Sequence, residues 1–380
     1  MKDIVSQQNI VAEAKKFTDQ EIRPFAADFE ANESLPRDLI KKIAQKGYLG
    51  AIIPEEYGGL GLDQLHYGLL TEEIGKGCSS TRALLTVHTS LVGESLLCWG
   101  NKSQKEKWLP LMASGEKIAA FALTEPEVGT DAGNIQTNYR QEGDRFILNG
   151  NKKWTSFGDI ADIFLVLASN NGKPTAFLVE REFAGVKTTR MTGLMAGKAA
   201  HIAEIEFNNV EVPAENIIGK IGNGFTYIAN TALDCGRYSI AWAGVAIAQA
   251  ALEEMVTYSR RRTQFGQKIV KFQMIREMIA DATTQIKAAR ALCLNAAHLR
   301  MEKSEDAIIE TCIAKYFASK VAFKVATDAV QIHGGNGCYN KYPVERLFRE
   351  SKILEIIEGT SQIQKEIIAS YGARKYYRPQ

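Results

Sequence analysis

Glu358 stands in the segment Glu355-Ile-Ile-Glu358-Gly359-Thr360-Ser361-Gln362-Ile-Gln364, behind two isoleucines and ahead of a glycine and three hydrogen-bonding side chains. A carboxylate so flanked can be taken out of water. Burial raises a carboxyl pKa toward the working pH, which is what a general base needs. The chemistry suggested is removal of a proton from a weak acid. A single glutamate also has a plainer reading, a solvated surface charge, so the base is to be judged with its surroundings.

Four further segments carry side chains that suit a large planar cofactor with phosphates. In Phe121-Ala-Leu123-Thr124-Glu125-Pro126-Glu-Val-Gly129-Thr130-Asp131, Pro126 and Gly129 force a loop whose N–H groups can turn inward. Thr124 and Thr130 add hydroxyls. In Lys153-Trp154-Thr155-Ser156-Phe157-Gly158, Trp154 can cover an aromatic ring and Ser156 can donate to a ring nitrogen. Arg261-Arg262-Thr263-Gln264-Phe265-Gly266, followed by Phe272-Gln273, offers Arg262 to a pyrophosphate and Gln264 or Gln273 to an adenine or a ribose. In Gln331-Ile-His333-Gly334-Gly335-Asn336-Gly337, three glycines let the backbone approach a phosphate or another chain closely. That last segment is not a G-x-G-x-x-G and follows no strand, so it is not a Rossmann dinucleotide turn. Each segment alone is also an ordinary feature: a Pro/Gly turn, a core tryptophan, a basic helix end, a structural histidine.

These groups need elements to position them. From Ile10 to about Met112 apolar residues recur every three or four positions, as in Leu39, Ile40, Ile43 and in Leu84, Val87, Leu91, which predicts helices. Between about Lys117 and Gly224 the period changes to two. Arg145-Phe-Ile-Leu148 ends in Asn149-Gly150, a hairpin signal, and Ile163–Leu167, Thr175–Val179 and Ala203–Phe207 read as further strands of an antiparallel β domain, a barrel or sandwich. After Gly224 the helical period returns. Four long helices, about 226 to 261, 270 to 302, 304 to 333 and 342 to 370, predict a bundle. The expected domains are 1–117, helical; 118–224, β; and 225–380, a four-helix bundle.

Composition excludes several classes. With 46 Lys and Arg against 44 Asp and Glu the net charge is +2, too little for a basic field that would hold nucleic acid. The six cysteines include no C-x-x-C pair, so neither a metal site nor a disulfide framework is expected. The start, MKDIVSQQNIVAEAKKF, lacks a signal pattern, and the most apolar stretch, Ile240–Ala248, is too short for a membrane span. These features give the expectation of a cytoplasmic bacterial protein.

Taken together and in this order, the five segments resemble the acyl-CoA dehydrogenase family over essentially the whole chain. The resemblance implies an N-terminal helical domain, a middle β domain, a C-terminal four-helix bundle, and FAD between the last two, with a second subunit completing the site. It implies that Phe121, Leu123, Thr124, Gly129, Thr130, Trp154 and Ser156 hold the flavin ring. Arg262, Phe265, Gln273, Gln331 and Gly335 would reach the dinucleotide from a neighbouring subunit, and Thr360 and Gln362 its pyrophosphate or ribityl side. Asp234 and Arg237 match positions that meet the pantetheine arm of an acyl thioester; Thr130 and Gly359 would also face substrate, and Glu358 matches the catalytic base. The implied partners are an acyl-CoA or acyl-carrier-protein thioester, an electron-transfer flavoprotein, and further copies of the chain in a dimer or tetramer. Three departures stand out. Ile357 replaces the tyrosine that commonly precedes the base, Ser156 replaces a threonine, and the first helix looks shortened. They are similar to what is found in dehydrogenases of polyketide extender-unit pathways. Two competing readings are an oxidase or amine- or nitroalkane-oxidising member of the superfamily, and a helical scaffold with a vestigial flavin site.

Overall fold

The computed structural model describes residues 4–378. Met1 to Asp3, on which the reading of the amino end partly rests, and the outer limits of the two terminal domains lie outside the described residues. Helices come first: α1 (Ile4–Phe17), α2 (Ala26–Ala31), α3 (Arg37–Gln45), α4 (Gln64–Gly77), α5 (Ser79–Leu85), α6 (Glu94–Trp99) and α7 (Lys102–Ala113). Their starts are set by side chains that satisfy free N–H groups. Asp63 accepts from the His66 N–H at 2.8 Å to begin α4. Asn101 and Gln104 exchange bonds of 2.9 Å in a capping box that begins α7. Gln104 Nε2 also donates to the Glu215 and Ile217 carbonyls, both at 2.7 Å, and so ties this helix to the β portion. Between α5 and α6 the chain stays helical but widens to a π turn over Thr86–Gly93, all of it buried.

Strands follow: β1 (Ala119–Ala122), β2 (Asn138–Glu142), β3 (Arg145–Thr155), β4 (Ile163–Asn170), β5 (Lys173–Glu180), β6 (Val186–Arg190), β7 (Ala203–Pro213) and β8 (Ile217–Ile218). They form one sheet in the order β6-β7-β3-β2-β4-β5-β8, with β1 added to β4. In β7 the apolar residues Ala203, Ile205 and Phe207 are buried while Glu204 and Glu206 are exposed, the alternation of a strand with one wet face. Pairing is antiparallel except at β1–β4 and at the single contact Asn138–Ser169. The intervening β2–β3 hairpin brings the chain back so that β4 runs in the direction of β1.

The hairpin expected at Asn149-Gly150 is absent. β3 continues through it with a bulge, because Gly150 sits at φ +145° and a Cβ there would lie 2.6 Å from Thr137 Cα. The Asn149 side chain accepts from the Asn209 N–H at 2.8 Å and bridges the shift in register. The two-residue turn is instead Asn171-Gly172, at φ +49° and +73°, which joins β4 to β5.

The carboxyl-terminal part comprises α8 (Asn230–Arg261), a short hairpin of β9 (Thr263–Gln264) and β10 (Gln267–Lys268), α9 (Gln273–Met301), α10 (Ala307–His333), α11 (Val344–Leu354) and α12 (Ser361–Lys375). Small residues allow α8 and α10 to lie close: a Cβ at Gly244 would meet the Ala318 carbonyl at 2.6 Å. The fourth helix of the expected bundle is two helices. Glu358 at φ +53° and Gly359 at φ +90° are left-handed, and a right-handed helix cannot run through them. All six cysteines are free; Cys78, Cys235, Cys293 and Cys312 are buried, Cys98 and Cys338 exposed. Among the described residues no helix is long and apolar enough to cross a membrane.

Candidate active site

The break between α11 and α12 carries the carboxylate. Three donors grip its backbone: Arg237 Nε reaches the Glu358 carbonyl at 3.3 Å, and Lys315 Nζ reaches the Gly359 carbonyl at 2.7 Å. The third, the buried Gln364 amide, reaches both, at 3.3 and 3.2 Å. Thr360 then caps α12 by accepting from the Ile363 N–H at 3.3 Å. Glycine is required at 359 twice over, by its φ and because a Cβ would press on the Gln364 amide at 2.8 Å.

With the turn fixed, the Glu358 side chain points at α8. Its Oε2 is buried without a hydrogen-bond partner. A carboxylate in that setting is poorly solvated, and burial pushes its pKa up to about 7, against the pull of Arg237, Lys315 and Arg82. The same burial pushes Lys315 down to about 8. The Glu358 N–H has no acceptor among the described residues. The group is thus a base poised near neutrality beside a free backbone donor.

The Phe121–Asp131 and Lys153–Gly158 segments are brought together. Phe121 lies in β1, Leu123 is buried, Thr124 is part-buried, and the Thr124 carbonyl accepts from the Lys153 N–H at 2.8 Å. Gly129 and Thr130 lie in the exposed loop beyond. The sequence reading missed what braces that loop. Glu125 and Lys152 form a buried ion pair of 2.7 Å, and Glu125 also accepts from the Gln136 and Thr137 N–H groups at 2.5 and 2.9 Å. The lysine donates as well to the Leu123 carbonyl at 3.0 Å. Trp154 takes a left-handed φ of +61° and is 51% exposed; Ser156 sits in the turn after β3, not on the strand.

The third and fourth segments meet elsewhere. Arg262, Gln264, Gly335 and Asn336 line a cleft of about 440 Å³ whose wall is a Tyr258–His333 stack, with ring centres 4.1 Å apart. Gln331 and Gln273 are exposed near this cleft's rim and at the start of α9, and Phe265 projects from the β9–β10 turn, 93% exposed at φ +48°. No hydrogen bond among the described residues joins this group to Thr124 or Trp154. Gln362 is exposed on the first turn of α12. Asp234 gives one oxygen to Arg300 at 2.7 Å, while its Oδ1 is buried and unpartnered.

Helices, then a sheet, then a bundle, with the Glu358 carboxylate enclosed against α8, are the layout shared by a class of flavoprotein oxidoreductases. Family models for the acyl-CoA dehydrogenase N-terminal, middle and C-terminal domains match residues 5–116, 120–210 and 222–372. The short-chain-specific acyl-CoA dehydrogenase of Clostridium acetobutylicum is 39% identical over 97% of this chain and 98% of its own. The butyryl-CoA dehydrogenase structure from Megasphaera elsdenii superposes with a TM-score of 0.93 at 36% identity, over 98% of both chains. The prolyl acyl carrier protein oxidase AnaB superposes at 0.91 with 29% identity, over 98% of this chain and 99% of its own. The chain belongs to the acyl-CoA dehydrogenase family.

The family's cofactor is FAD, and the residues present fit it. Two large aromatic rings, Trp154 and Phe265, are held in solvent by left-handed backbone, a conformation that costs about 1–3 kcal/mol and needs a reason. A planar ring system over Trp154 and a phosphate-bearing arm along the Arg262 cleft would provide one.

Proposed function

We propose that the chain dehydrogenates an acyl thioester between its α and β carbons, with Glu358 as the base that takes the α proton. The enclosed, partnerless Oε2 of Glu358 carries this reading. A thioester α C–H is a very weak acid, so its carbonyl must be polarised; the free Glu358 N–H is the protein donor we assign to that oxygen. Bound FAD supplies the acceptor for the β hydride. Phe121, Leu123, Thr124, Gly129, Thr130, Trp154 and Ser156 hold the flavin ring, Thr360 and Gln362 its ribityl or pyrophosphate side. Asp234, Arg237, Thr130 and Gly359 meet the thioester arm.

We assign Arg262, Phe265, Gln273, Gln331 and Gly335 to the FAD of a neighbouring copy in a dimer or tetramer. Their exposure within one chain and the absence of a link to Trp154 support this. The domain limits we propose are 117/118 and 224/225, which rest on the change to strand at Ala119 and the return to helix at Gly224. An electron-transfer flavoprotein is the acceptor and the cytoplasm the compartment, the latter supported by six unpaired thiols. Coenzyme A is the first carrier to consider. The likeness to a prolyl acyl carrier protein oxidase favours, as a second reading, a carrier-protein thioester; an extender-unit pathway rests on the departures at Ile357 and Ser156 alone.

The test is anaerobic addition of acyl-CoA and acyl-carrier-protein thioesters to the flavin-loaded protein. Loss of oxidised-flavin absorbance with wild type, and its abolition in Glu358→Gln with flavin still bound, is expected. Bleaching of Glu358→Gln at the wild-type rate would remove the base assignment.

A further inference from the structure

Arg346, in the first turn of α11, is 9% exposed, and among the described residues its guanidinium makes no hydrogen bond and no ion pair; its Nε is buried without a partner. The partner one turn further on, Glu350, does not take it. Glu350 is itself buried with an unpartnered Oε1, and burial pushes its pKa up to about 7, so it keeps a proton readily. Glu254, on α8, acts on Arg346 through space and is not bonded to it. Buried polar groups are as a rule paired, and an enclosed guanidinium without an anion is unfavourable.

Arg346 lines a cavity of about 180 Å³ where the amino-terminal helices meet the bundle, together with Arg23, Lys76, Glu254, Asn340 and Lys341. Two of the cations are already engaged. Arg23 pairs with Asp19 at 3.1 Å and covers the Lys76 carbonyl at 3.2 Å, and Lys76 pairs with Glu73 at 2.6 Å. Arg346 and Lys341 have no ion-pair partner among the described residues, and Glu254 is the one acid on the wall. The start of α11 adds to the positive field. Its N-cap, Pro343, also lines the cavity, and no side chain caps the free N–H groups of the first turn. An opening of this size is below the roughly 300–1,000 Å³ of sites for drug-sized molecules, so a small ion suits it.

We propose that this cavity binds a small tetrahedral oxyanion of the phosphate class, held by the fork of Arg346 and by Lys341. None of its lining residues is among those assigned to the flavin or the thioester. An oxyanion offers Arg346 the planar, two-bond pairing that Glu350 does not give. Bound there, it ties the turn before α2 to α11, the helix whose far end leads into the Glu358 break, and so joins the amino-terminal helices to the bundle. Glu254 works against it as a like charge.

The experiment titrates the flavin-loaded protein with inorganic phosphate, with ionic strength held constant by chloride, and follows binding by calorimetry and Tm by scanning. Saturable binding of one phosphate per chain, with a rising Tm, is expected. Arg346→Gln should weaken it about 10- to 100-fold, the range of a charge-assisted pairing. Glu254→Gln should tighten it about 2- to 5-fold, a gain that damage to the fold cannot produce. If Arg346→Gln does not fold, Lys341→Ala, at an exposed position, supplies the loss, with a smaller factor expected. Glycerol 3-phosphate tells the two sources apart: tighter binding than inorganic phosphate identifies the phosphate group of a metabolite as the occupant, weaker binding the free ion. Absence of saturable binding, or an affinity unmoved by all three variants, overturns the inference. So does a changed oligomeric state in Arg346→Gln when wild type binds no phosphate, because Arg346 then has an acidic partner on another copy.

Discussion

The carboxyl group of Glu358 rests on the backbone of Gly236: a Cβ at that glycine would stand 2.4 Å from Oε2 and 2.6 Å from Cδ. The base on one helix break is thus shaped by a residue 122 positions earlier, on α8. Gly236→Ala must displace the carboxylate, and a misplacement of about 1 Å is enough to lower a rate roughly 100-fold. Alanine is the better helix former by about 1 kcal/mol, so the fold is expected to survive. Flavin reduction should slow by about that factor with little change in Tm; a wild-type rate would mean that Glu358 does not work from this position.

The pKa of Glu358 makes two pH predictions. A base must be unprotonated, so kcat/KM should climb with pH and level off above about 7. Stability runs the other way. The folded chain holds this proton more tightly than the unfolded chain, so the contribution is present at low pH and is lost as pH rises from about 4.5 to about 7. Glu358→Gln escapes that loss, worth up to about 3 kcal/mol at ~1.4 kcal/mol per pKa unit. Its Tm should exceed wild type by a few degrees at pH 8 and converge with it near pH 4.5; a lower Tm at pH 8 would contradict the burial argument.

Lys315 favours the charged form of Glu358 and also holds the Gly359 carbonyl. Lys315→Met removes the cation, so the pKa of the base should rise and the acid limb of the pH profile move to higher pH. At neutral pH the rate should fall about 10-fold for each unit moved. An unshifted limb with a uniformly lower rate would assign Lys315 to holding the turn alone.

The buried pair Glu125–Lys152 braces the loop that we assign to the flavin. Removing the lysine leaves a carboxylate enclosed beside only backbone donors, a loss of about 3–5 kcal/mol. Lys152→Met should lower Tm and the flavin-to-protein ratio together, and Glu125→Leu/Lys152→Met should recover much of the Tm. Full flavin content in Lys152→Met would detach the pair from cofactor binding.

Much of this architecture was legible from periodicity. The switch from a period of three or four to a period of two and back marks the helical, β and bundle regions, because burial of one face imposes it. Glu358 could be singled out for the same reason, by the isoleucines before it and the glycine after it. What failed was local chemistry overridden by tertiary packing. Asn149-Gly150 reads as a turn, but Thr137 packs on Gly150 and the strand goes on; Asn171-Gly172, of the same composition, makes the hairpin. The apolar periodicity between 342 and 370 survives across the α11–α12 break because the buried faces of both helices keep it, so only the φ of Glu358 and Gly359 reveals the interruption. Arg82, Glu125, Lys152 and Lys315 were invisible as a group. Charged residues in a sequence look solvated, and nothing in their spacing tells that long-range contacts enclose them.

The two solvent-facing thiols make the protein easy to instrument. Burial raises the Cys78, Cys235, Cys293 and Cys312 thiols and shields them from alkylating reagents, so a maleimide dye will go to Cys98 or Cys338. Cys338 belongs to the same glycine-rich turn, Gly334–Cys338, that supplies Gly335 and Asn336 to the Arg262 cleft. With Cys98 replaced by serine, a single fluorophore on that turn becomes a reporter of whatever enters or leaves the cleft, read in real time and without turnover.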